Sequence, residues 1–173
     1  NTDFRLKSVK ITPNGGSSPY EMGNLVNSFN YVESVTAPFL SATMEVVDSA
    51  GLLTGLPIQG GEPVEISVST NASEEAYTYK MVIWTIGNRF VRQQQQAYTI
   101  GLVSTEALLN EVVRVTKPLS GNPESIVIDL IKNSLKADKE IFSEPSKFET
   151  KMIPNRKRPF DLISTLCVKS VSP

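Results

Sequence analysis

Apolar and polar residues alternate from Phe4 to about Thr105, the period of two that predicts half-buried β-strands. From Asn122 onward the apolar residues recur at helical spacing instead. Within the first stretch the pattern predicts strands at Phe4–Ile11, Leu25–Val35, Phe39–Val47, Pro63–Thr70, Tyr77–Ile86 and Gln95–Ser104. Leu40, Ala42, Met44 and Val46 alternate with Ser41, Thr43 and Glu45, as in a strand with one dry and one wet side. Pro63 is placed at a strand start, where a missing N–H does least harm. In the second strand Phe29 and Tyr31 fall on one face and Val26 and Val32 on the other.

Turn chemistry separates these runs. The loop from Pro13 to Pro19 is rich in Gly, Ser and Asn, and Gly60-Gly61 leads into the Pro63 strand. Ala50 to Leu56 is too short and glycine-rich for a stable helix and reads as a turn, or one helical turn over a barrel end. Tyr77–Ile86 and Gln95–Ser104 form the strongest local signal, an antiparallel hairpin. Strict alternation puts Tyr77, Tyr79, Met81 and Ile83 on one face and Val82, Trp84 and Ile86 on the other. Gly87-Asn88 begins the turn in this reading, and Arg89 to Gln94 extends as a polar tip. Several such strands in series suggest a closed or nearly closed antiparallel barrel, because closure removes exposed edges.

A boundary falls at Thr116 to Gly121. Asn122 then reads as an N-cap, with Pro123 at the first helical position and Glu124 adding negative charge to the first turn. Ile126, Val127, Leu130, Ile131 and Leu135 form an apolar stripe. Ala137 to Lys151 has no clear period, and a second amphipathic segment starts near Pro159, with Phe160, Ile163, Leu166 and Cys167 on one face. The expected class is α+β: an antiparallel β-barrel over 1–116, then a partly helical segment over 117–173 belonging to an incomplete second domain.

Charge and candidate chemistry narrow the functional classes. A net charge of −1 lacks the basic excess of a general nucleic-acid or membrane-surface binder. The charge is uneven: residues 1–110 hold 6 Lys and Arg against 10 Asp and Glu, and residues 111–173 hold 11 against 8. With no histidine and one cysteine, Ser–His and Cys–His catalysis and imidazole ligation of zinc have no residues to use. Cys167, between Leu166 and Val168, reads as a small buried apolar residue. No apolar run approaches the ~20 residues of a membrane span and no signal peptide is visible, so synthesis in a reducing cytoplasm is expected. The chain begins without methionine and ends at Pro173, as a piece of a longer protein would. No cofactor and no metal is expected.

Arg156-Lys157-Arg158 supplies too few charges for nucleic acid and reads as a solvated loop or protein-contact patch. Glu74-Glu75 reads as solvated, and Asn71-Ala72-Ser73 as a chance match to a glycosylation acceptor. Glu45 and Asp48, near a strand end, are the one carboxylate pair a glycosidase could use, though no cleft or aromatic platform accompanies them. Gln93 to Gln96 fits a strand entry or a contact at the hairpin tip. Trp84, Tyr79 and Tyr98 read as core or sheet-face residues.

The order of Phe39-Leu40-Ser41-Ala42-Thr43-Met44-Glu45-Val46-Val47-Asp48-Ser49, Gly60-Gly61-Glu62-Pro63-Val64-Glu65-Ile66, and the hairpin through Gly87-Asn88-Arg89 and Tyr98 to Leu108 resembles a known family. The likeness is to the first tube-like domain of the central baseplate hub protein of contractile-tailed bacteriophages, and it extends to hubs of related injection systems. It continues through Glu124-Ser125-Ile126-Val127 and Pro154 to Ile163, and so covers most of the chain. The resemblance implies a non-enzymatic structural protein of the virion tail baseplate, made in the host cytoplasm. It further implies a homotrimer whose barrels form a pseudo-sixfold ring joining the tail tube protein to the central spike protein. Val82, Trp84 and Ile86 are then candidate subunit-contact or core residues, with Arg89, Arg92, Gln93 and Gln94 at a contact loop and Arg156, Lys157 and Arg158 in a contact patch. Two other readings stay open: a monomeric ligand-binding barrel, and a cell-wall glycosidase using Glu45 or Asp48.

Overall fold

A computed structural model describes residues 4–16, 18–49, 51, 58–70, 75–92 and 95–170. It divides into two compact units, 1–104 and 105–173. Among the described residues the first unit holds one 3₁₀ turn and the strands β1 (Phe4–Ile11), β2 (Tyr20–Glu21), β3 (Val26–Val32), β4 (Ser41–Asp48), β5 (Pro63–Thr70), β6 (Ala76–Arg92) and β7 (Gln95–Val103). They form one antiparallel sheet in the order β2-β1-β5-β6-β7-β4-β3. The sheet curls into a half-barrel, the α+β, barrel-like class that the pattern implies.

Alternation explains the curl. Val9, Ile11, Met44, Val46, Val64, Ile66, Met81, Ile83, Ile100 and Leu102 all point to the concave side and are buried there. Each such side chain contributes roughly 1.5–3 kcal/mol on leaving water. The end strand β3 reaches β1 and β6 over this core. Phe4 of β1 packs edge-on against Phe29 of β3 at 6.1 Å, and Tyr31 of β3 stacks on Tyr79 of β6 at 4.6 Å.

β-Bulges correct three of the expectations. A register shift between Val26 and Ser28 turns Val26 to the side of Phe29 and Tyr31, so all three pack on the core. Strand β6 does not turn at Gly87-Asn88 but runs on to Arg92, paired with Gln95. Gly87, opposite Thr99, marks a second irregularity rather than a turn. A third lies between Ile83 and Thr85, so that Ile86 stands opposite the core residue Ile100 instead of sharing the face of Val82 and Trp84. The helical turn expected over Ala50–Leu56 and the Asn71-Ala72-Ser73 motif lie outside the described residues, Gly51 excepted, as does Glu74.

The second unit holds α1 (Thr105–Val112), β8 (Leu119–Gly121), α2 (Pro123–Asp129), a π-helical turn (Leu130–Ser134), β9 (Thr150–Met152) and α3 (Pro159–Lys169). It begins ahead of the boundary read at Thr116–Gly121, with α1, a helix the alternating pattern does not announce. Asn122 occupies the N-cap of α2, but its side chain makes no capping bond to the helix backbone. The π turn accounts for the five-residue step from Leu130 to Leu135. Leu135 N–H donates to Leu130 O, and the wider turn returns Leu135 to the buried side with Leu130. In α3 the buried face is Pro159, Leu162 and Leu166, so Cys167, one position further round, is exposed rather than buried. Among the described residues no helix is long and apolar enough to cross a membrane.

Candidate functional site

The candidate surface is the part of the β6–β7 ribbon beyond the end of β5. Pairing of β5 with β6 ends at Pro63 opposite Val82, with two further backbone bonds, Ile83 N–H to Glu62 O (3.0 Å) and Gly61 N–H to Ile83 O (2.7 Å). The departure of β5 is fixed by a loop built on Glu62. Its fully buried carboxylate accepts bonds from Gln59 N–H (2.7 Å), Gly60 N–H (2.8 Å) and Asn14 Nδ2 (3.0 Å). Gly60 and Gly61 take φ of 109° and 85°, which only glycine adopts readily, and the chain turns away from β6 there.

Past that point β6 is wet and greasy at once. Trp84, at the first bulge, is 49% exposed and Ile86 38%, while Phe90 and Val91 reach 70% and 65%. Phe90 stands opposite Ala97, itself opposite Val47, so the three share the convex face. They border a groove of about 270 Å³ with Asn27, Glu45 and Thr99. The sequence pattern reads Phe90 and Val91 as part of a polar hairpin tip, because a turn assigned at Gly87-Asn88 hides the continuing strand.

The sequence-derived site residues are only partly brought together. Val82 is buried opposite Val103 and offers no surface. Arg89 and Arg92 belong to β6 by backbone, with side chains outside the described set, as are Gln93 and Gln94 altogether. Arg156, Lys157 and Arg158 sit in the second unit and differ from one another. Asn155 and Arg156 both have left-handed backbone (φ 50° and 59°) in a turn closed by Lys157 N–H to Pro154 O at 3.1 Å. Lys157 O accepts from Val115 N–H, and Arg158 Nη1 pairs with Glu111 Oε1 of α1 at 2.9 Å. Arg158 is thus a structural anchor, and Arg156 and Lys157 are the exposed cations.

Asn110 is a residue sequence reasoning missed. Buried on α1, it accepts a bond from Phe160 N–H at 2.9 Å and so caps α3 from 50 residues away. The same unit has an open groove of about 310 Å³ bordered by Val127, Ile131, Phe142 and Cys167. On its rim Glu124 accepts bonds from the hydroxyl and N–H of Ser146, and the hydroxyl bond holds the Glu124 carboxyl below the usual range.

Glu45 and Asp48 do not form a catalytic pair. They sit three residues apart in regularly alternating β4, Glu45 exposed on the convex face and Asp48 fully buried on the other. Tyr31 is the strongly perturbed group of the first unit. Burial, then the Glu33 carboxylate that its hydroxyl donates to at 3.2 Å, pushes it up to about 12. Among the described residues no group of acidic or sulfur side chains could hold a metal ion.

No protein-family model and no curated protein matches the sequence. Solved structures do match in fold. A tail protein from Neisseria meningitidis MC58 aligns with a TM-score of 0.61 at 8% identity, over 96% of this chain and 45% of that one. The Escherichia coli c3393 protein is described as a type VI secretion component similar to the T4 bacteriophage tail proteins gp27 and gp5. It aligns at 0.53 and 14% identity over 95% of this chain and 42% of its own. A 43 kDa tail protein of prophage MuSo2 from Shewanella oneidensis aligns at 0.52 and 12% identity, over 94% and 49%. The chain therefore has the fold found in phage-tail and type VI secretion tail components, and it spans less than half the length of each of these structures.

Proposed function

We propose that this chain is a structural, non-enzymatic part of a tail assembly, a hub that forms a trimer in which its β unit and a second, similar barrel of each subunit make a pseudo-sixfold ring. In this reading the ring joins the tail tube protein to the central spike protein in the baseplate of a contractile tail. Residues 1–116 supply the tube-like domain, and 117–173 belong to a second domain that further chain completes. The observation that carries the reading is the fold likeness over nearly the whole chain to tail proteins of both phage and secretion systems. The exposed apolar set Trp84, Phe90 and Val91 supports it, since a surface of this kind suits a permanent subunit contact. The contact residues are then Trp84 and Ile86, with Arg89, Arg92, Gln93 and Gln94 at the hairpin end and Arg156 and Lys157 on the second unit.

Sedimentation-velocity analysis over a hundredfold concentration range, followed by electron-microscopic class averages, tests the assignment. Trimers with threefold averages are expected, and Trp84→Asp returns them to monomers without unfolding the chain. A monomer at every concentration, or rings that Trp84→Asp leaves intact, would refute it.

A further inference from the structure

We propose that the two-stranded ribbon of the second unit docks an acidic polypeptide, with Lys117, Lys151, Arg156 and Lys157 holding its carboxylates and Ile153 meeting an apolar residue between them. The inference rests on the reading of Arg156 and Lys157 as contact residues and is independent of ring formation. The ribbon runs from the bridge between Val115 and Lys157 to β8 and β9, where Ser120 stands opposite Lys151. Between Glu111 and Glu124, and again between Glu149 and Asp161, the sequence has six Lys and Arg in all and no carboxylate. Two of the six are already engaged. Arg158 pairs with Glu111, and Arg114 donates to carbonyls at the end of α1, among them Glu111 O at 3.0 Å and Val113 O at 2.8 Å. The other four are exposed, and among the described residues their side chains make no hydrogen bond or ion pair.

The turn at the ribbon's end displays its cations against backbone preference. Lys157 N–H closes on Pro154 O with Asn155 and Arg156 at φ of 50° and 59°, the type I′ form whose second central position strongly favours glycine. Arginine stands there although its side chain bonds nothing among the described residues, so the fold gains no contact in return for the strain. The display is also rigid. Val115 N–H donates to Lys157 O at 3.0 Å and Arg158 Nη1 to Glu111 Oε1 at 2.9 Å, so binding orders little backbone. Ile153, 72% exposed, lies in the chain between Lys151 and the turn, and an apolar centre with a charged rim is the anatomy of a protein contact. Lys151 and Arg156 are five residues apart, up to about 16 Å of extended chain, too far for one carboxylate or phosphate to bridge. Nucleic acid fits less well. Four cations fall short of the roughly 6–10 phosphate contacts of a strong duplex binder, and a phosphate backbone offers Ile153 no apolar partner.

Fluorescence anisotropy on the full chain tests this, with a labelled peptide of alternating Glu and Leu, polyglutamate of the same charge and a DNA duplex as probes. The Glu–Leu peptide is expected to bind best and to weaken as salt rises. Lys117→Glu with Lys151→Glu should weaken it about tenfold, and Ile153→Ser should remove its advantage over polyglutamate. Arg156→Gly should weaken it about threefold while the urea midpoint holds or rises, a combination that a purely structural arginine would not give. Lys10→Gln, on the first unit, should change nothing. Peptide binding that survives replacement of all four ribbon cations by Gln, or that Arg156→Gly leaves intact, overturns the proposal. A duplex bound as tightly as the peptide also overturns it and makes the ribbon a nucleic-acid site. Peptide binding by a chain that never forms trimers upholds the docking ribbon and refutes the ring reading alone.

Discussion

Replacing Glu62 tests whether the half-barrel depends on one buried carboxylate where β5 parts from β6. Its Oε1 accepts from Gln59 N–H and Asn14 Nδ2 and its Oε2 from Gly60 N–H, and the group is fully buried. Glu62→Ala strands these donors. Hydrogen bonds to a charged acceptor contribute about 1.5–3 kcal/mol each, but Gln59 is exposed and water recovers part of its loss. A net loss of about 2–4 kcal/mol follows, within the range for breaking a buried polar network. Glu62→Gln keeps the shape and can place its oxygen where Oε1 lies, retaining two bonds, but its NH₂ then faces Gly60 N–H. It should cost about half as much as alanine, near the value of one charged hydrogen bond.

Trp84 is the single tryptophan and lies one residue beyond Ile83, which bonds the Glu62 backbone. Urea unfolding followed by its fluorescence therefore reports on the first unit, at a protein concentration low enough to keep the chain monomeric. The expected order of midpoints is wild type, then Glu62→Gln, then Glu62→Ala, with unchanged slopes. An alanine variant within about 1 kcal/mol of wild type, or a glutamine variant no better than alanine, would show that the loop holds its shape without the carboxylate.

Three further outcomes are expected. Asn110→Ala removes the acceptor for Phe160 N–H and should destabilise the second unit by about 1 kcal/mol, seen as a lower midpoint in circular dichroism at helical wavelengths; no change would mean that α3 does not need the cap. Arg156→Gly relieves a left-handed conformation that costs a non-glycine residue about 1 kcal/mol, partly offset by the freer unfolded chain, so stability should rise by a few tenths to ~1 kcal/mol. A fall instead would indicate that the Arg156 side chain holds the turn. Glu33→Gln should lower the Tyr31 pKa from about 12 without restoring it to 10, because burial is the larger cause; ultraviolet titration against Tyr31→Phe measures this. The raised value stabilises the fold below pH 10, where both states keep the proton, and that contribution is lost as pH rises from 10 to about 12.

The strands were legible wherever one side of the sheet is dry. The bounds of β5 match the reading residue for residue, and Ala42, Met44 and Val46 are buried as alternation requires. Period two carries that information because a half-buried strand has no other way to sort its side chains. What failed were features that local spacing cannot encode. Asn110 meets Phe160 across 50 residues, and Glu62 meets Asn14 across 48, so neither partner appears in a short window. Cys167 was misplaced by one helical step, since Leu162, not counted in the stripe, centres the buried face of α3.

The bulges of β6 did leave a trace in the sequence, in two glycines, Gly87, read as the start of a turn, and Gly101. Glycine inside a strand weakens it, so it persists where something else needs the space. A Cβ on Gly101 would overlap the hydroxyl of Thr85, the residue that the bulge at Trp84 brings opposite it. Gly87 sits where the second shift begins and has room for a Cβ, so its role there concerns the backbone path rather than packing. The pair brackets the stretch where β6 has lost β5 and changes face. Without the first bulge, Ile86 would join Trp84 on the convex side, and Ile100 would lose its cross-strand neighbour at the end of the core. The same irregularity that defeated strict alternation thus lets one strand face Ile100 with Ile86 while Trp84, Phe90 and Val91 stay exposed.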